Sequence, residues 1–246
     1  MRAFIASGGA KGKRALSPYP LCRDLFRNPR RILECEETLD AVLALAPEIE
    51  AYRGKGSQIL QREFDDQLGG LLYHAELETF EAAPEPDLFP ADREPAPPPA
   101  ATPFWAEKLS DYFFERVQGK PTRSLHAAGL RSNAWSILGE LSPFCRRSEP
   151  LPLALETAAD RRKPDEEREG AIRFLSAYWA HEDPDKATVD LLESLRQDPP
   201  NRSFLVTVLQ ARIDLGLSDE MEALLEVEDW DDEDAEDEDE GEGEEE

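Results

Sequence analysis

Residues 185–201, DKATVDLLESLRQDPPN, constrain the fold more than any other stretch of this chain. Val189, Leu191, Leu192 and Leu195 recur at helical spacing, with small Ala187 and Ser194 between them. That period puts the apolar side chains on one side of an α-helix. Asp198-Pro199-Pro200-Asn201 then stops it, because proline offers no N–H to the helical ladder and its ring crowds the preceding turn. The same signature returns elsewhere. Residues 32–52 carry Leu39, Val42, Leu43 and Leu45 on one stripe, with Pro47 expected to end or kink the helix. Residues 57–81 carry Ile59, Leu60, Phe64, Leu68, Leu71 and Leu72, with Ser57 as the expected N-cap and Gly69-Gly70 as an expected bend. Residues 104–119 place Trp105, Leu109, Phe113 and Val117 near one face and end at Gly119. No segment alternates apolar and polar residues as a half-buried strand would, so the expected fold class is all-α.

Charge and proline divide the chain. The whole carries 28 Lys plus Arg against 54 Asp plus Glu, net −26, but 16 of the carboxylates fall between Glu226 and Glu246 with no basic residue among them. Residues 1–31 run the other way, with eight Lys and Arg against Asp24 alone. Eight prolines lie between residues 84 and 103, a composition that extends the backbone and forbids helix or central strand. The expected organisation is a basic leader (1–31), an N-terminal helical segment (32–81), a Pro-rich linker (82–103), a helical domain (104–228) and a disordered acidic tail (229–246).

Within the helical domain a spacing emerges. AWSILGEL gives Trp135, Leu138 and Gly139. Ala171 follows Trp135 by 36 residues, with Phe174, Leu175 and Tyr178 in phase; Leu205 follows Ala171 by 34, with Val208, Leu209 and Arg212 in phase. Between these lie the second halves: Ala187 and Leu191 with Pro199 behind them, then, after Gly216, Met221 and Leu225. The pattern W-x2-L-G-x2-Y, A-x3-F, P in units of 34 residues is that of the tetratricopeptide repeat. Residues 132–228 resemble three such repeats. The first alone keeps Trp and Leu-Gly, and its second half, PLPLALETAADRRKP, is irregular.

The resemblance implies a short superhelix of helix pairs packed through Trp135, Leu138, Gly139, Phe174, Tyr178, Ala187, Leu191, Pro199, Val208, Gly216 and Leu225. It also implies a concave face that binds a peptide or helix. The matching inner positions hold Ser136, Glu140, Arg173, Ser176, Thr207 and Gln210. Family members that grip chaperone C-termini use a Lys/Asn/Arg cluster there; Arg173 alone fits, so that mode is disfavoured. Glu140, Arg173, Ser176, Thr207 and Gln210 are the candidate partner-binding residues.

Little points to catalysis. GGAKGKR (8–14) departs from a phosphate-binding loop: Gly8 stands one residue too close to Gly12, and Arg14 replaces the hydroxyl residue. His74, His126 and His181 form no H-E-x-x-H and pair with no cysteine at zinc spacing; Cys22, Cys35 and Cys145 make no C-x-x-C. No catalytic, cofactor-binding or metal-binding residue is assigned, and no cofactor is expected. No apolar run reaches the ~18 residues of a membrane span, and no secretory signal is evident, so the expected compartment is the cytoplasm. Outside its tail the chain is still net −10, which disfavours direct nucleic-acid binding over a broad surface. The expected function is a non-enzymatic adaptor or chaperone-like module that binds a protein segment. The alternative is a regulator engaging a basic protein, or a nucleic-acid-binding complex, through the acidic tail.

Overall fold

A computed structural model describes residues 18–53, 56–81, 101–119 and 124–217, with backbone alone at 18–21, 76–81 and 125. Every regular element among them is an α-helix. The leader before residue 18, linker residues 82–100, Met221, Leu225 and the acidic tail lie outside the described residues.

Residues 18–31, expected to belong to the leader, are instead helical and lend Cys22 and Phe26 to the core; with the N-terminal segment they hold α1 (Pro18–Leu25), α2 (Pro29–Glu34), α3 (Glu36–Leu43), α4 (Ala46–Ala51) and α5 (Ser57–Glu81). The single helix expected over 32–52 is thus three short ones. Asn28 caps α2, its side chain accepting from the N–H of Arg31 at 3.2 Å. Cys35 is extended and separates α2 from α3. Pro47 falls in the first turn of α4, where its missing N–H costs nothing, so it opens a helix instead of ending one. Helix α5 runs through Gly69-Gly70. A Cβ on Gly69 would meet Ile137 at 2.7 Å, so this glycine serves close approach to a neighbouring helix. Ser57 is the first helical residue and not the cap; Gly56, at φ 80°, precedes it and accepts from the N–H of Leu60. Leu39, Val42, Ile49, Leu60, Phe64, Leu68, Leu71 and Leu72 are buried as their spacing requires, whereas Ile59 is exposed.

Six helices follow: α6 (Phe104–Gln118), α7 (Leu125–Leu141), α8 (Pro150–Ala159), α9 (Asp165–Trp179), α10 (Lys186–Gln197) and α11 (Arg202–Asp214). They form two rows. Helices α5, α7, α9 and α11 pack in succession, and α6, α8 and α10 each lie against the helix that follows them. The stop at 198–201 has a second use: the Asn201 side chain accepts from the N–H of Phe204 at 2.9 Å and caps α11. Helix α11 ends as its glycine suggests. Gly216 sits at φ 64°, its N–H bonded to Ile213 and that of Leu217 to Arg212, the two bonds of a Schellman turn.

One buried cluster spans all of this, from Cys22 and Leu39 through Phe64, Phe113, Trp135 and Phe174 to Phe204 and Val208. It is continuous across residues 81 and 104, on either side of the linker. Trp135, Leu138, Phe174, Tyr178 and Val208 are core residues, Trp135 packing on Phe174 at 5.2 Å. Leu191 and Pro199 are half-buried. Ala187 corrects the sequence reading: it is exposed, and Thr188 and Leu192, one residue on, are the fully buried pair. The cause is the phase set by Asp185, whose side chain caps α10 at the N–H of Thr188, 2.8 Å away. The Thr188 hydroxyl then accepts from Trp179 Nε1 at 3.2 Å, joining α10 to α9.

Candidate docking furrow

Between α9 and α11 lies an open cleft of about 530 Å³. Its walls follow from helical period. Arg173, Ser176, Ala177 and Ala180 line the α9 side; Val206, Thr207, Gln210, Ala211 and Asp214 line the α11 side, each set recurring at three- and four-residue steps. Both carboxylate oxygens of Asp214 are engaged, one accepting from Ser176 Oγ at 3.1 Å and the other from Gln210 Nε2 at 2.7 Å. Arg173 donates to Glu169 at 3.3 Å, and the Thr207 hydroxyl donates to the Ser203 carbonyl. Burial raises the pKa of Glu169, with the Arg173 charge opposing.

A second, more polar cleft of about 320 Å³ adjoins the first along the row. It runs past Arg62 and Asp66 of α5, His126, Asn133 and Ser136 of α7, and Glu166 of α9, and meets the first at Arg173. Asn133 donates to Asp66 at 3.0 Å. Burial raises the pKa of Asp66, against the neighbouring Arg62. The result is a furrow across the four helices of this row, polar over α5 and α7 and apolar over α9 and α11.

Four of the five candidate partner-binding residues, Arg173, Ser176, Thr207 and Gln210, meet in the first cleft. Glu140 does not join them; it is exposed on α7 and lines neither cleft. The sequence reading missed Asp214, although it follows Thr207 and Gln210 at i+7 and i+4 on one face. It also missed the charges buried behind the furrow. Glu167, fully buried, lies 2.7 Å from Arg131 of α7, a contact of charges without an aligned hydrogen bond, and accepts from Lys163 at 2.8 Å. Arg168, 1% exposed, donates to the Ala158 carbonyl and to Asp165 and stacks on the Phe204 ring at 4.4 Å, tying α8, α9 and α11 together. A comparable cluster joins α5 to α6, where Asp65 accepts from Tyr112 at 2.7 Å and Arg116 at 3.1 Å. Burial raises the pKa of Asp65 and of Tyr112.

The histidines stay apart: His74 and His181 are exposed, and His126 meets Gln61 at 3.3 Å. Burial pushes the Cys22 thiol up to about 12, which keeps it protonated and weakly nucleophilic at neutral pH. Among the described residues no group of three or more His, Cys, Asp or Glu could hold a metal ion, and no helix is long and apolar enough to cross a membrane. Comparisons with protein-family models, curated proteins and solved structures find no match to this chain.

Proposed function

We propose that the protein is a cytoplasmic, non-enzymatic adaptor of the tetratricopeptide type, whose furrow over α5, α7, α9 and α11 holds a peptide or helix of another protein. The carrying observation is the α9–α11 cleft, where Arg173, Ser176, Thr207 and Gln210 converge around an apolar floor. An apolar trough with a few fixed polar groups suits a helix docked by one face, its polar edge read by Arg173 and the Ser176–Asp214–Gln210 cluster. The inner row would form the concave side of a short superhelix, with α6, α8 and α10 behind it. The second half of the first repeat, irregular in sequence, would then matter for support more than for contact.

Selection of a displayed peptide library on the full chain tests this. Selected ligands should lose binding to Val206→Glu while the helical circular dichroism stays unchanged; undiminished binding by that variant would sink the reading. The acidic run between Glu226 and Glu246 supports the second reading, capture of a basic protein by charge. Removal of residues 229–246 discriminates, since a furrow ligand is retained and a tail ligand is lost.

A further inference from the structure

Helix α9 is the spine of the furrow. One of its faces carries Glu166, Arg173, Ala177 and Ala180, at steps of seven, four and three residues. Glu166 and Arg173 line the polar cleft, and Arg173, Ala177 and Ala180 line the apolar one. Past the end of the helix the furrow continues into a third open hollow of about 590 Å³. That hollow shares Ala180 and Asp214 with the apolar cleft and takes Glu182 and Asp183 from the loop after α9. From Glu166 to Ala180 the helical rise covers about 21 Å, or about four turns.

The charges along this line are answered within the chain except at its two ends. Arg62 faces Asp66 at 3.6 Å, and Arg173 faces Glu169 at 3.3 Å. Asp214 is held by Ser176 and Gln210, and Glu182 pairs with Arg146. Glu166 and Asp183 are exposed, and among the described residues their carboxylates make neither a hydrogen bond nor an ion pair. Each end is built to stay negative. A Cβ on Gly129 would come within 3.0 Å of Glu166 Oε1, so the glycine lets this carboxylate rest against α7 at the rim of the polar cleft. At the other end Ala180 and Leu215 cap α9 and α11, whose terminal carbonyls add partial negative charge beside Asp183. One exposed carboxylate says little. Two unanswered ones at opposite ends of a trough with an apolar stretch between them define a charge pattern for whatever lies in it.

Taking the furrow as the binding face, on which this rests, we infer that its partner is an amphipathic helix of about four turns lying along α9. Its apolar side enters the α9–α11 cleft, and a Lys or Arg near each end meets Glu166 and Asp183.

Three synthetic helical peptides, titrated against the intact chain, test it. All carry the same leucine stripe; two side chains about four turns apart are lysine in the first, glutamine in the second and glutamate in the third. Fluorescence anisotropy at about 0.1 M salt should rank lysine over glutamine over glutamate, with about tenfold between the extremes, and the spread should narrow toward about 1 M as exposed charges are screened. In the double variant Glu166→Gln with Asp183→Asn, both changes falling on exposed side chains, the spread should shrink to about twofold or less while the glutamine peptide binds as before. Equal binding of all three peptides by the parent would overturn the inference. So would a ranking that survives in the double variant, since the acidic run between Glu226 and Glu246 would then be the attractant. Val206→Glu separates this from the furrow itself. A glutamine peptide that is lost on that variant, without any ranking by charge, keeps the furrow and removes only its acidic ends. Three peptides that bind Val206→Glu as well as they bind the parent, or that do not bind the parent at all, would take both readings down.

Discussion

The contacts of α9 with its two inner neighbours differ although the elements are alike. Against α7 it packs backbone to backbone. A Cβ on Gly170 would stand 2.7 Å from Ser132 Cα, and one on Gly139 would stand 2.9 Å from Ala177 Cβ, so the helices interlock through their glycines. Trp135 and Phe174 fill the adjoining volume, and Glu167 with Arg131 closes one end. Against α11 no glycine lines the contact, and a cleft remains whose floor is alanine and valine. The difference teaches that glycine placement, more than total apolarity, decides which helix pair seals and which stays open to a partner.

Breaking the sealed side at its charges has the largest expected effect. Glu167 is fully buried between Arg131 and Lys163. Glu167→Ala leaves Arg131 buried without its partner and should cost about 3–5 kcal/mol, read as a lower urea midpoint at unchanged slope. The double variant Arg131→Met with Glu167→Leu should recover much of it, because an apolar pair removes both charges. A single variant as stable as the parent would show that the pair adds nothing to the seal.

Gly170→Ala attacks the same interface through shape. Its Cβ would meet the Ser132 backbone, which cannot rotate away, so overpacking should cost about 1–3 kcal/mol despite alanine's better helix propensity. Gly70→Ala is the control. A Cβ there meets nothing within 4 Å, and the change should stabilise by up to about 1 kcal/mol. Thermal melts in which both variants shift the same way would refute the distinction between contact glycines and idle ones.

The helices themselves were legible from apolar period and punctuation: residues 57–81 and 104–118, the stop at Pro199 and the glycine end at Gly216 all stand where the sequence puts them. What the period left open was phase and segmentation. Ala187 and Thr188 are both small, and only the Asp185 cap decides which of them faces inward. Pro47 has two helical meanings, terminator or first-turn residue, and the sequence does not choose between them. Four of the five candidate contact residues share a cleft because they hold equivalent places on α9 and α11. Glu140 sits on α7, beside the sealed interface. The Glu167 cluster was invisible for a different reason: its partners come from α7 and the loop before α9, and charged residues near a helix start read as solvated.

A smaller effect, carried by acid, belongs to the open side. Glu169 reaches Arg173 and Ser203 beside the cleft, with Asp165 and Glu166 nearby. Its folded pKa is raised, chiefly by burial, so the folded protein holds a proton that the unfolded chain has already released. The corresponding stability is fully present below the ordinary carboxylate value near pH 4 and is lost as pH rises through the raised value. Glu169→Gln should therefore flatten the stability profile on the acid side of neutrality. Denaturation midpoints that track the parent's at every pH would remove Glu169 from the account.

The smallest expected effect sharpens the comparison most. Ala180 ends α9 at ordinary helical angles, is exposed, and lines the cleft. Leucine there adds three carbons where the sealed interface tolerates not even one at Gly170. The cleft has room for them and Ala180 is exposed, so stability should move by no more than about 0.5 kcal/mol. Occupancy of the cleft is another matter, since the same three carbons take up space a docked helix would use. Ligands selected on the parent protein should weaken on Ala180→Leu while the melting temperature holds. A clear loss of stability would mean the α9–α11 contact is as tightly fitted as the α7–α9 one, and the furrow would lose its open half.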